Sequence, residues 1–180
     1  MSTQRKQSDS IIFIGMPGSG KSTVGSVLAK ALCMQFIDTD FIIQKRERMK
    51  LQQIIKQRGS EYFAKAEERV LLSLRPWGQV IATGGSAVFY PEAMQNLRNI
   101  GKIVYLDVSL KSLEKRLWNL KTRGIVFKPG QDIEAVYKER APLYEKYCDF
   151  RIKSGQGGVD RTALTIIEAL NRDRLQNLQM

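Results

Sequence analysis

The stretch that decides the fold is Ile11-Ile12-Phe13-Ile14-Gly15-Met16-Pro17-Gly18-Ser19-Gly20-Lys21-Ser22-Thr23. Four apolar residues predict a buried strand, a glycine-rich loop follows, and the amphipathic run 24–32 predicts a helix. The spacing G-x-x-x-x-G-K-S/T is that of a P-loop, and strand and helix flank it as that motif requires. Its physics is anion binding. Successive backbone N–H groups form a concave nest, and the start of the helix adds partial positive charge. Glycines at 15, 18 and 20 let the backbone approach a phosphate without Cβ clashes. Gly15, Gly18, Ser19, Gly20, Lys21, Ser22 and Thr23 are therefore the candidate nucleotide-binding residues. Lys21 is expected to reach the outer phosphates of ATP, and the Ser22 hydroxyl to ligate Mg2+.

Working outward, 180 residues argue for one domain with a real core. No apolar run approaches the ~20 residues of a membrane span. Residues 1–10 are polar, without the apolar stretch of a signal peptide, and read as a disordered lead-in. Cys33 and Cys148 lie far apart and read as free thiols of a cytoplasmic protein. Histidine is absent, which excludes histidine triads, histidine general bases and histidine metal sites. The net charge is +11, but the charges are spread over helices in mixed-sign runs such as Lys45-Arg46-Glu47-Arg48. That pattern fits solvated helix faces and gives no clustered basic patch for nucleic acid. Anionic small-molecule substrates are the partners such a balance suits.

Beyond the P-loop helix, strands are expected at 34–37, 79–83, 102–107 and, at an edge, 150–152. Helices are expected at 41–50, 51–57, 61–74, 91–98, 110–121, 132–147 and from Asp160 to about 170, leaving a tail at 173–180. Arg58-Gly59-Ser60 separates the third of these from the second, with Ser60 as a cap, and Pro142 is the one irregularity of the helix at 132–147, a place for a kink or a restart. Residues 122–131, with Gly124, Pro129 and Gly130, read as a loop. Short apolar strands alternating with helices predict an α/β fold: a parallel sheet covered on both faces, with right-handed crossovers. Ligands of such sheets bind beyond the carboxyl ends of the strands. The P-loop, Asp38 with Asp40, and Gly84 with Gly85 each follow a predicted strand.

A P-loop specifies a nucleoside triphosphate with Mg2+ but no reaction. Asp38 and Asp40, two residues apart in extended chain, put both carboxylates on one side. One is suited to the metal side, the other to accepting a proton from an attacking hydroxyl. The alternative for Asp40 is to cap the helix expected from Phe41. Gly84-Gly85 offers backbone N–H groups to a second, anionic or hydroxylated ligand, or forms a plain turn. Arg116, Arg123 and Arg140 are candidate cations for phosphoryl transfer, with Arg123, beside Gly124, the best placed for a lid. The strand ending at Asp107 imitates a Walker B strand, but a capping Ser109 follows and Asp38 already serves the metal side, so Asp107 reads as structural.

Together these residues resemble the shikimate kinase family, from about residue 11 to 170. The resemblance rests on G-M-P-G-S-G-K-S-T at 15–23, F-I-D-T-D at 36–40, V-I-A-T-G-G at 80–85 and R-A-P-L-Y at 140–144. It implies a three-layer α/β/α P-loop kinase fold over 11–172, with a five-stranded parallel sheet and a mobile lid at about 122–131. It implies a monomeric cytoplasmic enzyme of aromatic amino acid biosynthesis that moves the ATP γ-phosphate to the 3-hydroxyl of shikimate. By position it implies Ser22 and Asp38 on Mg2+, Asp40 on the acceptor hydroxyl, and Gly84 and Gly85 on the substrate side. It also implies Arg140 on the shikimate carboxylate, Arg116 near the adenine, and Arg123 in the lid.

Three departures fall on the acceptor half. The family pattern G-E-x-x-F-R-x-x-E reads here Gly59-Ser60-Glu61-Tyr62-Phe63-Ala64-Lys65-Ala66-Glu67, so an arginine expected to share the substrate carboxylate is Ala64. The third residue of the glycine turn is Ser86, and Arg123 is followed by Gly124-Ile125-Val126 instead of proline and leucines. Lys65 and Arg58 are the nearest basic replacements for the missing arginine. A kinase of another polyol or hydroxy acid, and a nucleotide-binding relative without shikimate turnover, are the alternatives these departures leave open.

Overall fold

A computed structural model describes residues 10–118, 132–155 and 157–179. In chain order the elements are β1 (Ser10–Ile14), α1 (Lys21–Ala31), β2 (Gln35–Asp38), α2 (Thr39–Glu47), α3 (Leu51–Ser73), β3 (Gln79–Ala82), α4 (Pro91–Ile100), β4 (Gly101–Asp107), α5 (Leu110–Trp118), α6 (Ile133–Tyr147), β5 (Phe150–Lys153) and α7 (Gly158–Leu178). The five strands form one parallel sheet in the order β2-β3-β1-β4-β5. This is the predicted α/β class, with β1 at its centre.

Strand periodicity builds the layers. Successive side chains of β1 point to opposite faces. Ile12 and Ile14 pack with Leu71 of α3, Met94 and Leu97 of α4, and Tyr144 of α6. Ile11 and Phe13 pack with Val24 and Leu28 of α1 and Ala163 and Ile166 of α7. Every residue of β1 is buried, as a central strand covered on both faces demands. Gly25 lets α1 approach the sheet, since a Cβ there would come within 2.7 Å of the Phe36 ring.

Several boundaries differ from expectation. The helix predicted from Phe41 starts at Thr39, and its cap is Asp38, whose carboxylate accepts from the Asp40 N–H at 3.0 Å. Asp40 is thereby released from capping. The break expected at Arg58-Gly59-Ser60 is present: Gly59, at φ 85° and ψ 165°, is non-helical and divides α3 into two helical segments. Such a positive φ is easily adopted only by glycine. Pro142 sits inside an uninterrupted α6. The last helix is capped by left-handed Gly157 rather than Asp160, and it continues to Leu178 through most of the expected tail. Ser10, expected in the lead-in, is a buried residue of β1. Residues 1–9 and 119–131, which include the expected lid, lie outside the described residues.

Candidate active site

Three consecutive strands of the sheet, β1, β3 and β2, deliver the P-loop, the Gly84-Gly85 turn and the Asp38/Asp40 pair to one edge. In the P-loop, Gly15, Gly18 and Gly20 take φ values of 143°, 76° and 96°. Gly20 precedes α1 without a side-chain cap, so the first-turn N–H groups of that helix stay free for an anion. The Ser19 hydroxyl is buried in the same loop with no hydrogen-bond partner. The Lys21 ammonium arches back over the loop and donates to the carbonyls of Gly15 (2.8 Å) and Met16 (2.9 Å). Burial lowers its pKa to about 8, against the opposing pull of Asp40 and Asp38.

The Ser22 hydroxyl donates to Asp38 Oδ2 at 2.7 Å. Serine and aspartate oxygens are the hard donors that suit Mg2+, an ion that keeps several waters and shares itself with substrate phosphates. The pair therefore fits the role expected of it. Thr23 is exposed on the next position of α1.

Asp40 stands beside this pair. Burial first, and then the charges of Asp38 and Glu67, raise its pKa to about 6. It faces the glycine turn: a Cβ on Gly84 would collide with Glu67 Oε1 and come within 3.2 Å of Asp40 Oδ1. The Gly84 N–H, expected to be open to a ligand, donates instead to the Thr39 hydroxyl at 3.3 Å. Gly84 contributes room rather than a donor. The Gly85 carbonyl accepts from the Tyr144 hydroxyl at 2.6 Å, which pins the turn to α6. Tyr144 is itself fully buried and stacked on Tyr105, with ring centroids 5.1 Å apart.

Arg140 reaches the same turn from α6. Its guanidinium lies 5.3 Å from the centre of the Phe89 ring, and its buried Nε has no partner. A Cβ on Gly85 would lie 3.2 Å from Arg140 Nη1. Arg116 does something the sequence did not suggest: its Nη1 donates to the carbonyls of Gly18 (3.2 Å) and Ser19 (3.1 Å), tying α5 to the phosphate loop. Arg123 lies outside the described residues.

The two nearest basic replacements for the arginine absent at 64 are engaged elsewhere. Lys65 is exposed and paired with Glu61 at 2.8 Å. Arg58 is paired with Glu47 at 2.7 Å and lies over the Tyr62 ring. Asp107 takes two bonds from Arg151, each at 3.0 Å, which explains its burial and accords with the structural reading. Sequence reasoning assigned no role to Thr39, Tyr90 or Tyr144. Thr39 and Tyr144 stand inside the quoted F-I-D-T-D and R-A-P-L-Y segments, so the signal was present for those two. Tyr90 stands in no quoted segment and carried none.

A parallel sheet with a phosphate loop at its central strand and two carboxylates at a neighbouring strand end defines a P-loop phosphotransferase. The chain belongs to the shikimate kinase family, whose profile matches residues 17–171. A shikimate kinase of Sulfurihydrogenibium sp. is 34% identical over 161 residues, covering 89% of this chain and 94% of that one. The structure of a shikimate kinase from Acinetobacter baumannii in complex with shikimate is 29% identical, with a TM-score of 0.84 over 93% of this chain and 96% of that one. The shikimate kinase of Aquifex aeolicus is 33% identical, with a TM-score of 0.79 over 92% and 98%.

Proposed function

We propose that the protein transfers the γ-phosphate of ATP to the 3-hydroxyl of shikimate, giving shikimate 3-phosphate and ADP. The observation that carries this reading is Asp40. It is a half-buried carboxyl with a raised pKa, set between the phosphate loop and the Gly84-Gly85 turn. There it takes the proton of the acceptor hydroxyl as the oxygen bonds to the γ-phosphorus and the β–γ bridging P–O bond breaks. The P-loop N–H groups and Lys21 hold the phosphates. Ser22, on the Asp38 side, would hold Mg2+, which when bound would supply charge neutralisation at the phosphates. Arg140, with the Gly85 side of the turn, orients the shikimate carboxylate. Arg123 is assigned the cation over the transferring group, and Arg116 the flank of the nucleotide site. The enzyme is taken to act as a cytoplasmic monomer. Among the described residues no helix is long and apolar enough to cross a membrane.

The test is release of ADP that depends jointly on shikimate, ATP and Mg2+, with the product identified by phosphorus NMR. No ADP above background at millimolar shikimate would sink the assignment. Ala64 favours a second reading, a kinase for a hydroxylated acceptor that needs fewer cationic contacts. An arginine restored there adds a charge-assisted hydrogen bond worth ~1.5–3 kcal/mol, so Ala64→Arg is expected to lower the KM for shikimate about ten- to a hundredfold. An unchanged KM, together with turnover of quinate or gluconate, would favour the second reading.

A further inference from the structure

Glu67 is the most confined carboxyl of the acceptor side, 1% exposed on α3. Its Oε2 accepts from the Ser86 hydroxyl at 2.6 Å and the Tyr90 hydroxyl at 2.9 Å. Its Oε1 has no partner and rests against Gly84, which Asp40 also flanks. Among the described residues no cation pairs with it. Residue 64 lies three positions earlier, one turn back on the same helical face, where a basic side chain would meet a residue at 67. Alanine leaves that place neutral, and Lys65 and Arg58 are paired with other carboxylates. Ser86, in contrast, stands where a glycine would offer no side-chain donor at all.

We propose that Ser86, together with Tyr90, is a positioning residue that fixes Glu67 against the acceptor turn in place of a cation at position 64. Ala64 and Ser86 are thus a coupled pair that sets acceptor recognition. The hydrogen bonds from the two hydroxyls favour the ionised carboxylate and so oppose the effect of burial. Two hydroxyls aimed at one oxygen keep the side chain in a single rotamer without a counterion. The pocket then retains Arg140 as the cation available to an anionic substrate group.

The inference rests on the shikimate assignment, and its test separates the two. Wild type, Ser86→Gly, Ala64→Arg and the double variant are compared in steady state with ATP and shikimate. Ser86→Gly is expected to lower kcat/KM for shikimate about tenfold with the KM for ATP unchanged. In the Ala64→Arg background the same change is expected to cost less than about threefold. Ser86→Thr, which keeps the hydroxyl, restores activity, and Tyr90→Phe reproduces the loss. Equal losses in the two backgrounds, or an equal rise in the KM for ATP, would overturn the coupling. If wild type does not phosphorylate shikimate, the functional assignment fails, and the coupling is read from thermal midpoints of the same four unliganded proteins. Ser86→Gly then lowers the midpoint more in wild type than in the Ala64→Arg background, and equal lowering refutes the pair.

Discussion

Asp40→Asn is expected to lower kcat with shikimate by about 10²–10⁴-fold, the usual contribution of a positioned general base, with ATP binding retained. The amide keeps the shape of the side chain and cannot take the proton. In wild type the carboxylate must be ionised, so kcat/KM for shikimate should fall as pH drops through about 6, the raised pKa of this group. The same group costs stability. Its folded pKa lies above the ordinary 3.8, so the folded chain binds this proton more tightly than the unfolded chain does. The penalty is therefore present above pH 6 and vanishes as pH falls below 3.8. Asp40→Asn should raise the unfolding free energy at pH 7.5 by about 1–2 kcal/mol, allowing for screening of a half-buried side chain, and by less at pH 4. Urea melts at the two pH values measure the difference. A variant that stays active, or one that is destabilised at pH 7.5, would remove Asp40 from the role of base.

Lys21→Ala is the second large effect. Loss of a preorganised cation at the transferring phosphate is expected to lower kcat about 10²–10³-fold or more and to weaken ATP binding. The fold should survive. Burial lowers the Lys21 pKa to about 8 from 10.5, so the unfolded chain holds this proton more tightly. The charged amine disfavours the unliganded fold below pH 8, and the effect is relieved as pH rises toward 10.5. Its two bonds to Gly15 and Met16 carbonyls offset part of that burden. Unfolding midpoints without ATP should thus be equal or higher in Lys21→Ala, while the upward shift that ATP gives wild type should shrink. A collapsed midpoint without ligand would mean that Lys21 serves chiefly to hold the loop together.

The donor side was legible because its information is local. Strand, glycine loop, lysine and helix lie within two dozen residues, and their geometry follows from backbone rules. The positions of Asp38, Asp40 and Gly85 at strand ends followed from the α/β alternation. What the sequence concealed was long-range pairing. Nothing near Asp107 announces Arg151, and nothing near Gly85 announces Tyr144, because those contacts exist only once β5 has paired with β4 and α6 has packed on the turn after β3. Capping was open for a related reason: Asp40 had a cap as its alternative role, and only the true start of α2 at Thr39 gives that role to Asp38. Ser86 read as a lost glycine, whereas its hydroxyl found a buried carboxylate 19 residues away. The break at Gly59 was legible from the sequence, and the backbone leaves helical geometry there.

The two halves of the site are made of different materials. The phosphate cradle consists mostly of main-chain amides, which are the same whatever side chains surround them. The acceptor side is drawn from side chains on α3 and α6 and from the residue after two glycines. Heritable change therefore meets unequal resistance in the two halves. Under the proposed assignment, substitutions at 64, 86 or 90 are expected to alter acceptor use while leaving the main-chain phosphate cradle in place. A duplicated copy of this gene would have a short mutational path to a new acceptor and almost none to a new phosphate donor.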